Sequence, residues 1–383
     1  MAQVGPSVRK SHGFWTLHAD TNGATQEKVA ESAHNEMVVP RRIFALHSAL
    51  LTLNFLFASA CGSEGPPVPV MREYVAMGSQ LKVTLWATDE AKAIAAADRV
   101  SREFDRLESL LSIWKPESDV VRLNAAAGRA PVAVSRETLD VLAAARAASE
   151  MTGGKFDITF GALADIWKFD HDQDNTVPDA AAITARLPLV DYQAVQVDAA
   201  KGTAFISRAG ARVHLGGIGK GYALDLAVTM LQREGFRDFL LQAGGDMYAA
   251  GTNNGTPWTL GIADPRGAHD AFAAVTVRDA TFSTSGDYER FFLKDGIRYH
   301  HLLDPDRGEP ARGSRSVTIV ADRAVIADVL STAVFIMGPV DGMALVERLP
   351  NVEGVIVTAS NEVLISSGLK DRVEIRGRPT DAP

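Results

Sequence analysis

Apolar residues recur at intervals of three and four along several stretches of the chain, a spacing typical of amphipathic helices. This pattern predicts long helices over residues 90–111, 135–151, 222–231 and 324–337, with shorter ones at 119–124 and 160–169. Short apolar and β-branched runs predict strands at 74–77, 81–87, 193–197, 203–207, 211–215, 239–242, 247–250, 258–262 and 272–277. Together they predict an α/β (α+β) fold, a single compact domain of mixed sheets flanked by helices.

The N-terminal part of the chain differs in composition from the middle. Residues 1–36 are polar and lack an apolar face, so we expect them to be disordered or to reflect an upstream start codon. Residues 37–60 resemble a signal peptide, because two arginines at 41 and 42 precede an uncharged apolar run. We therefore predict a tether at 61–71, a folded domain at 72–370 and a flexible tail at 371–383.

The single cysteine, Cys61, directly follows the small residues Ala58, Ser59 and Ala60. This arrangement is typical of the bacterial lipobox, in which cleavage leaves a lipidated N-terminal cysteine. It predicts an exported lipoprotein that is anchored to the membrane, faces the periplasm and lies on the inner membrane. The alternative is an ordinary secretory signal with an incidental cysteine. Residues 41–44 also fit a twin-arginine export signal loosely, and the short apolar run disfavours a transmembrane anchor.

The charge balance narrows the classes of partner. The chain has 39 Lys and Arg against 47 Asp and Glu, a formal net charge of −8. With no basic stripe to offset this excess of acid, the sequence predicts that the protein does not bind nucleic acid. A local positive pocket for one small anionic ligand remains compatible with the composition.

A glycine-rich stretch, HLGGIGKGYALD at 214–225, is predicted to form a tight turn between a strand and a helix. The amide groups and dipole of a helix N-terminus attract anions, and glycines let a phosphate approach the backbone. Lys220 in the first helical turn is explained if an anion lies beside it. The alternative interpretation is a glycine turn that only packs the helix against the strand.

Other polar groups follow predicted strands and glycines. Lys155, Phe156 and Asp157 come directly after a double glycine, which suits a ledge for a ring or, equally, a loop packed by Phe156. The hydroxyl-rich run at 281–288 predicts phosphate contacts or, alternatively, a polar edge turn.

Two further features suggest chemistry. Asp328 and Thr332 are one helical turn apart, so they offer two oxygen ligands suited to Mg²⁺ or Ca²⁺, or else a surface aspartate beside a back-bonded threonine. His300 and His301 are adjacent on a predicted strand and must point to opposite faces. One of these histidines should therefore be structural.

Five motifs in this order and spacing resemble the ApbE family of FAD:protein FMN transferases. They are the runs HLGGIGKGYALD, QAGGDMYAAG, STSGDYERFF, YHHLLDPDRG and ADVLSTAVFIMG, which begin at residues 214, 242, 283, 299 and 327. The resemblance implies an ApbE/T-fold-like catalytic domain at 72–370. It also implies a Mg²⁺-dependent enzyme that takes FAD as substrate and joins FMN to a Thr or Ser of an acceptor flavoprotein, releasing AMP.

The resemblance implies a role for each matching residue. His301 would be the general base and Asp328 would act beside it, while the metal ligands would be Gly217 through its carbonyl, Asp328 and Thr332. The implied FAD contacts are Met77, Trp114, Lys155, Phe156, Asp157, His214, Lys220 and Leu303. His214 departs from the family, which commonly has an aspartate there, so an acceptor-only carboxylate is replaced by a donor-acceptor ring.

The residue types suit attack by an alcohol on a pyrophosphate. Lys220 and Mg²⁺ would neutralise charge on the pyrophosphate, and His301 is a base of the right strength near neutral pH. Two alternatives stay open at this point. One is an FAD pyrophosphatase that delivers the FMN phosphorus to water, and the other is a non-catalytic flavin-binding lipoprotein.

Overall fold

The sequence pattern alternates between helix and strand periods, and the computed structural model, which describes residues 65–267 and 271–382, forms both kinds of element accordingly. The helices are α1 Glu90–Leu111, α2 Asp119–Ala125, α3 Arg136–Met151, α4 Gly161–Ala164, α5 Ala180–Arg186, α6 Gly219–Arg233, α7 Ala324–Met337 and α8 Pro339–Val346. Short 3₁₀ turns occur at Leu187–Leu189, Tyr192–Ala194 and Ser367–Leu369.

The strands fall into one large sheet and four small ones. The strands are β1 Val68–Ala76, β2 Ser79–Ala87, β3 Val132–Ala133, β4 Val195–Asp198, β5 Thr203–Ile206, β6 Phe239–Ala243, β7 Asp246–Ala250, β8 Trp258–Ala263, β9 Ala271–Val277, β10 Ala280–Gly286, β11 Phe291–Lys294, β12 Ile297–His300, β13 Leu303–Asp304, β14 Glu309–Pro310, β15 Ser314–Ala321, β16 Val352–Thr358, β17 Val363–Ile365 and β18 Val373–Ile375.

The large sheet has eight antiparallel strands in the order β1-β2-β6-β7-β10-β15-β16-β17. Alternate residues along its strands pack into different cores, as the two-residue period of a strand requires. In β6, for example, Phe239 and Leu241 pack with α1 and α6, whereas Leu240 packs with β8 and β9. The sheet is therefore the middle of three layers, between helices on one side and the β18-β9-β8 sheet on the other.

Helices α1, α3 and α7 have the boundaries that periodicity predicts, whereas α6, predicted at 222–231, extends from Gly219 to Arg233. Helix α1 begins after Asp89, whose side chain accepts a hydrogen bond from the Lys92 amide, and α3 begins after Ser135, which caps the Thr138 amide. The buried residues of α1 recur at intervals of three and four, including Val100, Phe104 and Leu107. This apolar stripe faces the large sheet.

Four other predicted features differ from the structure: one strand, one helix and the two ends of the folded domain. The strand predicted at 211–215 does not form, because the Val213 backbone is bonded on both sides by the Asn124 side chain instead of by a neighbouring strand. The helix predicted at 160–169 is only α4, because the chain turns so that the Trp167 indole can donate to the Gly308 carbonyl. The folded part begins at β1 and so includes residues 68–71 of the predicted tether. The predicted tail contains β18, which pairs with β9.

A hairpin of β11 and β12 stands beside the rest of this architecture. Phe291 pairs with His300 and Lys294 with Ile297, and the two-residue turn at Asp295 and Gly296 has positive φ angles of 52° and 74°. These values are those of the turn that suits a tight β-hairpin. The register places His300 on the face that packs against Phe335 of α7.

Helices α6 and α7 approach each other with almost no space between them at Gly221. A Cβ built on Gly221 would lie 2.5 Å from the Ala324 carbonyl oxygen and 2.8 Å from the Asp328 Cβ. The two helices are also joined by Asp225 of α6, whose carboxylate accepts from the Ala324 amide at 2.7 Å. Helix α7 has no capping side chain of its own, so α6 supplies the negative charge at its N-terminus.

No helix in residues 65–267 and 271–382 is both long enough and apolar enough to cross a membrane. Residues 66–267 and 271–382 belong to one compact unit. The predicted signal peptide and Cys61 lie outside the described residues, and so their assignments stay predictions.

We expect Gly221→Ala to destabilise the protein, because the added methyl group has no room between α6 and α7. Overpacking of this kind costs about 1–3 kcal/mol, so the urea midpoint should fall. Gly219→Ala is the matched control, since a Cβ at Gly219 meets nothing within 4 Å and alanine favours the helix. Equal midpoints for the two variants would contradict the close helix contact.

Candidate functional site

A cleft of about 700 Å³ opens where the β1–β2 turn, the glycine turn, β10, α7 and the base of the β11–β12 hairpin meet. Its size is that of a typical small-molecule site. It gathers every predicted site residue apart from Cys61, although these residues come from six separate parts of the chain. They are Met77, Trp114, Lys155, Phe156, Asp157, His214, Gly217, Lys220, His301, Leu303, Asp328 and Thr332.

The glycine turn leads into α6, but its amides are not all free for a phosphate. The Gly219 amide donates to the Leu215 carbonyl at 2.8 Å, and the Gly221 amide donates to Asp328 Oδ2 at 2.9 Å. The interpretation as a packing turn therefore holds for Gly221, and the predicted approach of a phosphate to the glycines stays a prediction. Gly221 serves helix packing, whereas Gly216, Gly217 and Gly219 line the cleft.

Lys220 has protein carboxylates as partners. Its Nζ lies 2.9 Å from Asp246 Oδ2 and 3.9 Å from Asp328 Oδ1, and both carboxylate side chains are about 95% buried. Burial alone would lower the pKa of Lys220, but the two carboxylates raise it above its usual value. The anion that explains a lysine in this helical turn is thus supplied by Asp246 and Asp328, and a phosphate contact stays a prediction.

Asp328 is held in an unusual electrostatic state. Burial and the neighbouring Asp246 carboxylate raise its pKa to about 7, against the opposing effect of Lys220. Two buried carboxylates share one ammonium group, which leaves one negative charge without a partner when both are ionised. Such a charge is costly unless a cation offsets it.

The surroundings of Asp328 fit the predicted Mg²⁺ ligands. A Cβ built on Gly217 would lie 3.6 Å from Thr332 Oγ1, so the Gly217 backbone and the Thr332 hydroxyl are close neighbours. Carboxylate, hydroxyl and carbonyl oxygens are the donors that Mg²⁺ prefers. Within the described residues, no three His, Cys, Asp or Glu side chains gather in a metal-binding arrangement, so the predicted set depends on one carboxylate.

A chain of hydroxyl groups connects the Asp246 side of the cleft with Thr332. Ser283 donates to Asp246 and lies 3.3 Å from Ser331, and Ser285 lies 2.8 Å from Ser331 and 3.3 Å from Thr332. Ser283 and Ser285 belong to β10, an interior strand between β7 and β15. The alternative of a polar edge turn is therefore wrong for this part of the run.

The two adjacent histidines take different roles, as predicted. His300 is buried, its Nε2 lies 2.8 Å from the Ala311 carbonyl, and burial lowers its pKa to about 4. His301 faces the cleft, and its Nδ1 lies 3.3 Å from the Arg290 carbonyl. Burial and the nearby Arg290 hold the pKa of His301 well below its usual value. The ring is neutral at pH 7, and Nδ1 donation to Arg290 leaves Nε2 as the acceptor.

The 155–157 loop is firmly tied to the protein. Lys155 Nζ lies 2.9 Å from Asp304 Oδ1 and 2.8 Å from Asp306 Oδ2. Asp157 accepts from the Thr159 and Tyr192 amides, one on each oxygen. Phe156 is buried beside Gly217. The carboxylate of Asp157 thus fixes the loop that presents Phe156.

The remaining predicted contacts lie around the rim. Trp114 is half exposed and meets the His171 ring edge-on at 4.3 Å. Met77 occupies the β1–β2 turn with a φ of 49°, which is strained for a side chain other than glycine. His214 packs against Phe160, and its Nδ1 accepts from the Gly216 amide at 3.0 Å. Burial and nearby Arg290 lower its pKa to about 4, so the ring is neutral.

Sequence reasoning assigned no role to Asp246, Ser331 or Arg290, which also belong to the site or its network. Ser285 lies in the hydroxyl-rich run for which phosphate contacts were one prediction. Asp246 lies in one of the matching motifs, directly after two glycines. The alternation of Ser283 and Ser285 along one strand face was the available sign of the hydroxyl chain. Their partners on α7 come from more than 40 positions away, as the separations of 48 and 46 residues show.

Comparison with known proteins places the fold and site in a family. A model described as the ApbE family matches residues 77–356. This chain belongs to the ApbE family. The curated FAD:protein FMN transferase of Treponema pallidum (strain Nichols) is 33% identical over 82% of this chain and 92% of its own length. A Klebsiella pneumoniae (strain 342) protein of that name is 34% identical over 76% of this chain and 90% of its own length.

Solved ApbE structures share the architecture. The ApbE protein from Thermotoga maritima matches with a TM-score of 0.73 and 33% identity over 79% of this chain and 98% of its own. The flavin transferase ApbE from Vibrio cholerae matches with a TM-score of 0.72 and 25% identity over 80% of this chain and 100% of its own. The predicted family and the fold class of a single compact domain with sheets and helices are confirmed.

Proposed function

We propose that this protein is an enzyme that transfers the FMN part of FAD to a Thr or Ser hydroxyl of an acceptor flavoprotein and releases AMP. One observation carries the proposal. A single cleft holds a neutral histidine, a partly buried lysine, and an aspartate with a threonine one helical turn away. Relatives that share most of this chain are named FAD:protein FMN transferase.

The reaction needs a hydroxyl nucleophile, a base and charge neutralisation. The acceptor oxygen attacks the FMN phosphorus, the bond from that phosphorus to the bridging oxygen breaks, and AMP leaves with that oxygen. The hydroxyl proton passes to His301 Nε2, which is free because Nδ1 lies against the Arg290 carbonyl. Although the low pKa makes His301 a modest base, it keeps the ring unprotonated and ready to accept.

Mg²⁺ would be held by Asp328, Thr332 and the Gly217 carbonyl. It would supply positive charge to the pyrophosphate oxygens when bound. Lys220 lies in the same cleft and adds a second positive charge, since its ammonium form is favoured by Asp246 and Asp328. Phe156 and Trp114 offer aromatic surfaces for the flavin or adenine ring.

The direct test incubates the purified protein with FAD, Mg²⁺ and an acceptor flavoprotein, and measures flavin bound covalently to the acceptor by mass spectrometry. An acceptor whose target threonine is replaced by alanine is the matched control. We expect AMP and flavinylated acceptor in equal amounts, and neither with the control. Free FMN and AMP without labelled acceptor would identify a pyrophosphatase, and FAD binding without turnover would identify a flavin-binding lipoprotein.

We expect Asp328→Asn to lower FAD turnover by on the order of a hundredfold, because the amide keeps the shape but removes the only charged ligand of the proposed cation. FAD affinity should change less, since Lys220, Trp114 and Phe156 remain. Titrating Mg²⁺ against turnover and measuring FAD binding separately checks both statements. An unchanged Mg²⁺ dependence would mean that Asp328 serves helix packing alone.

We also propose that Cys61 carries a lipid that anchors the exported protein to the inner membrane, facing the periplasm. The support is the small residues before the only cysteine and the apolar run that precedes them. In the producing bacterium, Cys61→Ser should move the protein from the membrane to the soluble fraction while FAD turnover persists. Ser63→Ala is the control and should stay with the membrane. Membrane attachment of Cys61→Ser would contradict the anchor.

A further inference from the structure

Asp246 is a buried carboxylate in the cleft with only 3% of its surface exposed. It begins β7, directly after Gly245 and two residues after Gly244, which has a φ of 61°. Oδ2 pairs with Lys220 Nζ at 2.9 Å, and Oδ1 accepts from the Ser283 hydroxyl. Both oxygens are therefore engaged, so Asp246 is poorly suited to binding a cation itself.

The position of Lys220 is set by two carboxylates that compete for it. Among the described residues, Asp246 and Asp328 are the carboxylates within 4.0 Å of its Nζ. The contact with Asp246 is a direct ion pair, whereas Asp328 Oδ1 is 3.9 Å away, beyond normal hydrogen-bond length. Asp328 Oδ2 is already bonded to the Gly221 amide. Within residues 65–267 and 271–382, Oδ1 is thus the oxygen of the Asp328 carboxylate without a hydrogen-bond partner.

We infer that Asp246 is a positioning residue that holds the Lys220 ammonium group away from Asp328 and so keeps Asp328 Oδ1 available to a divalent cation. This inference rests on the proposed Mg²⁺ site. Without Asp246, Asp328 is the carboxylate among the described residues that remains within 4.0 Å of the Lys220 ammonium group. An ammonium group with little access to water is stabilised by pairing with a carboxylate. Lys220 would therefore pair with Asp328 and compete directly with the metal.

Two other roles for Asp246 make different predictions. If Asp246 only adds negative charge near the metal, its effect and that of Lys220 are independent and should add. If Asp246 acts through the Ser283–Ser331–Ser285–Thr332 chain of hydroxyl groups, breaking that chain should lower the affinity for the cation as much as removing the carboxylate does. The positioning role instead requires that removing Lys220 raise the affinity for the cation most when Asp246 is absent.

The experiment is a double-variant cycle with metal binding as its readout. Purified wild-type protein, Asp246→Asn, Lys220→Met and the double variant are titrated with Mn²⁺ by electron paramagnetic resonance, with Mg²⁺ as competitor and no FAD. We expect Asp246→Asn to weaken binding by about tenfold or more and Lys220→Met alone to change it by less than about threefold. In the double variant, binding should return to within about threefold of wild type.

Ser283→Ala is the matched control, because it removes the hydrogen bond to Asp246 Oδ1 but leaves the carboxylate beside Lys220. We expect it to bind Mn²⁺ like the wild type. Additive effects across the cycle, or a loss in Ser283→Ala equal to that in Asp246→Asn, would overturn the inference. Circular dichroism establishes that each variant is folded.

The outcome for the metal site can be separated from the outcome for Asp246. If Asp328→Asn binds Mn²⁺ as well as the wild type, the proposed metal site fails. If Asp328 is required but the cycle is additive, only the positioning role fails. If Asp246→Asn does not fold, Lys220→Met alone decides the question. A lysine that is already held away from Asp328 predicts little change in Mn²⁺ affinity when it is removed. An increase in Mn²⁺ affinity of about tenfold would contradict the inference.

Discussion

The close approach of α6 to α7 at Gly221 is the constraint on which the rest of the site depends. Because no side chain separates the helices, the Gly221 amide reaches Asp328 and the lysine next to it enters the same buried space. The close packing of the two helices therefore also sets the electrostatic environment of Asp328 and Lys220. A wider separation would leave Asp328 without its backbone donor and Lys220 without one of its two counter-ions.

The antiparallel sheet gives this helix pair a rigid support. Strand β10 runs between β7 and β15, so its inward serines meet Asp246 on one side and α7 on the other. The buried polar groups of the cleft are therefore hydrogen-bonded to each other, as groups removed from water must be. The opposite face of the same sheet packs an apolar cluster against β8 and β9, so the site lies on the helix side of the sheet.

Local patterns allowed much of the fold to be predicted, and pairings between distant residues set the limit. The boundaries of α1 and α7 follow from periodic apolar positions, and these match the structure. The run at 211–215 alternates like a strand, yet Asn124 satisfies its backbone, and no local rule foretells that partner. The residues that the family resemblance implied line one cleft, and their roles stay predictions. The pairing of Asp246 with Lys220 could not be predicted from the sequence, because it depends on how β7 faces α6 in the folded protein.

The two adjacent histidines limit the changes in length that the β11–β12 hairpin can tolerate. His300 packs against Phe335 of α7, while the next residue, His301, lines the cleft. Since successive residues of a strand face opposite ways, losing or gaining one residue between the turn and His300 would exchange their environments. The imidazole of the core would enter the cleft, and that of the cleft would be buried. Length changes in this segment are therefore tolerable only within the turn or in steps of two.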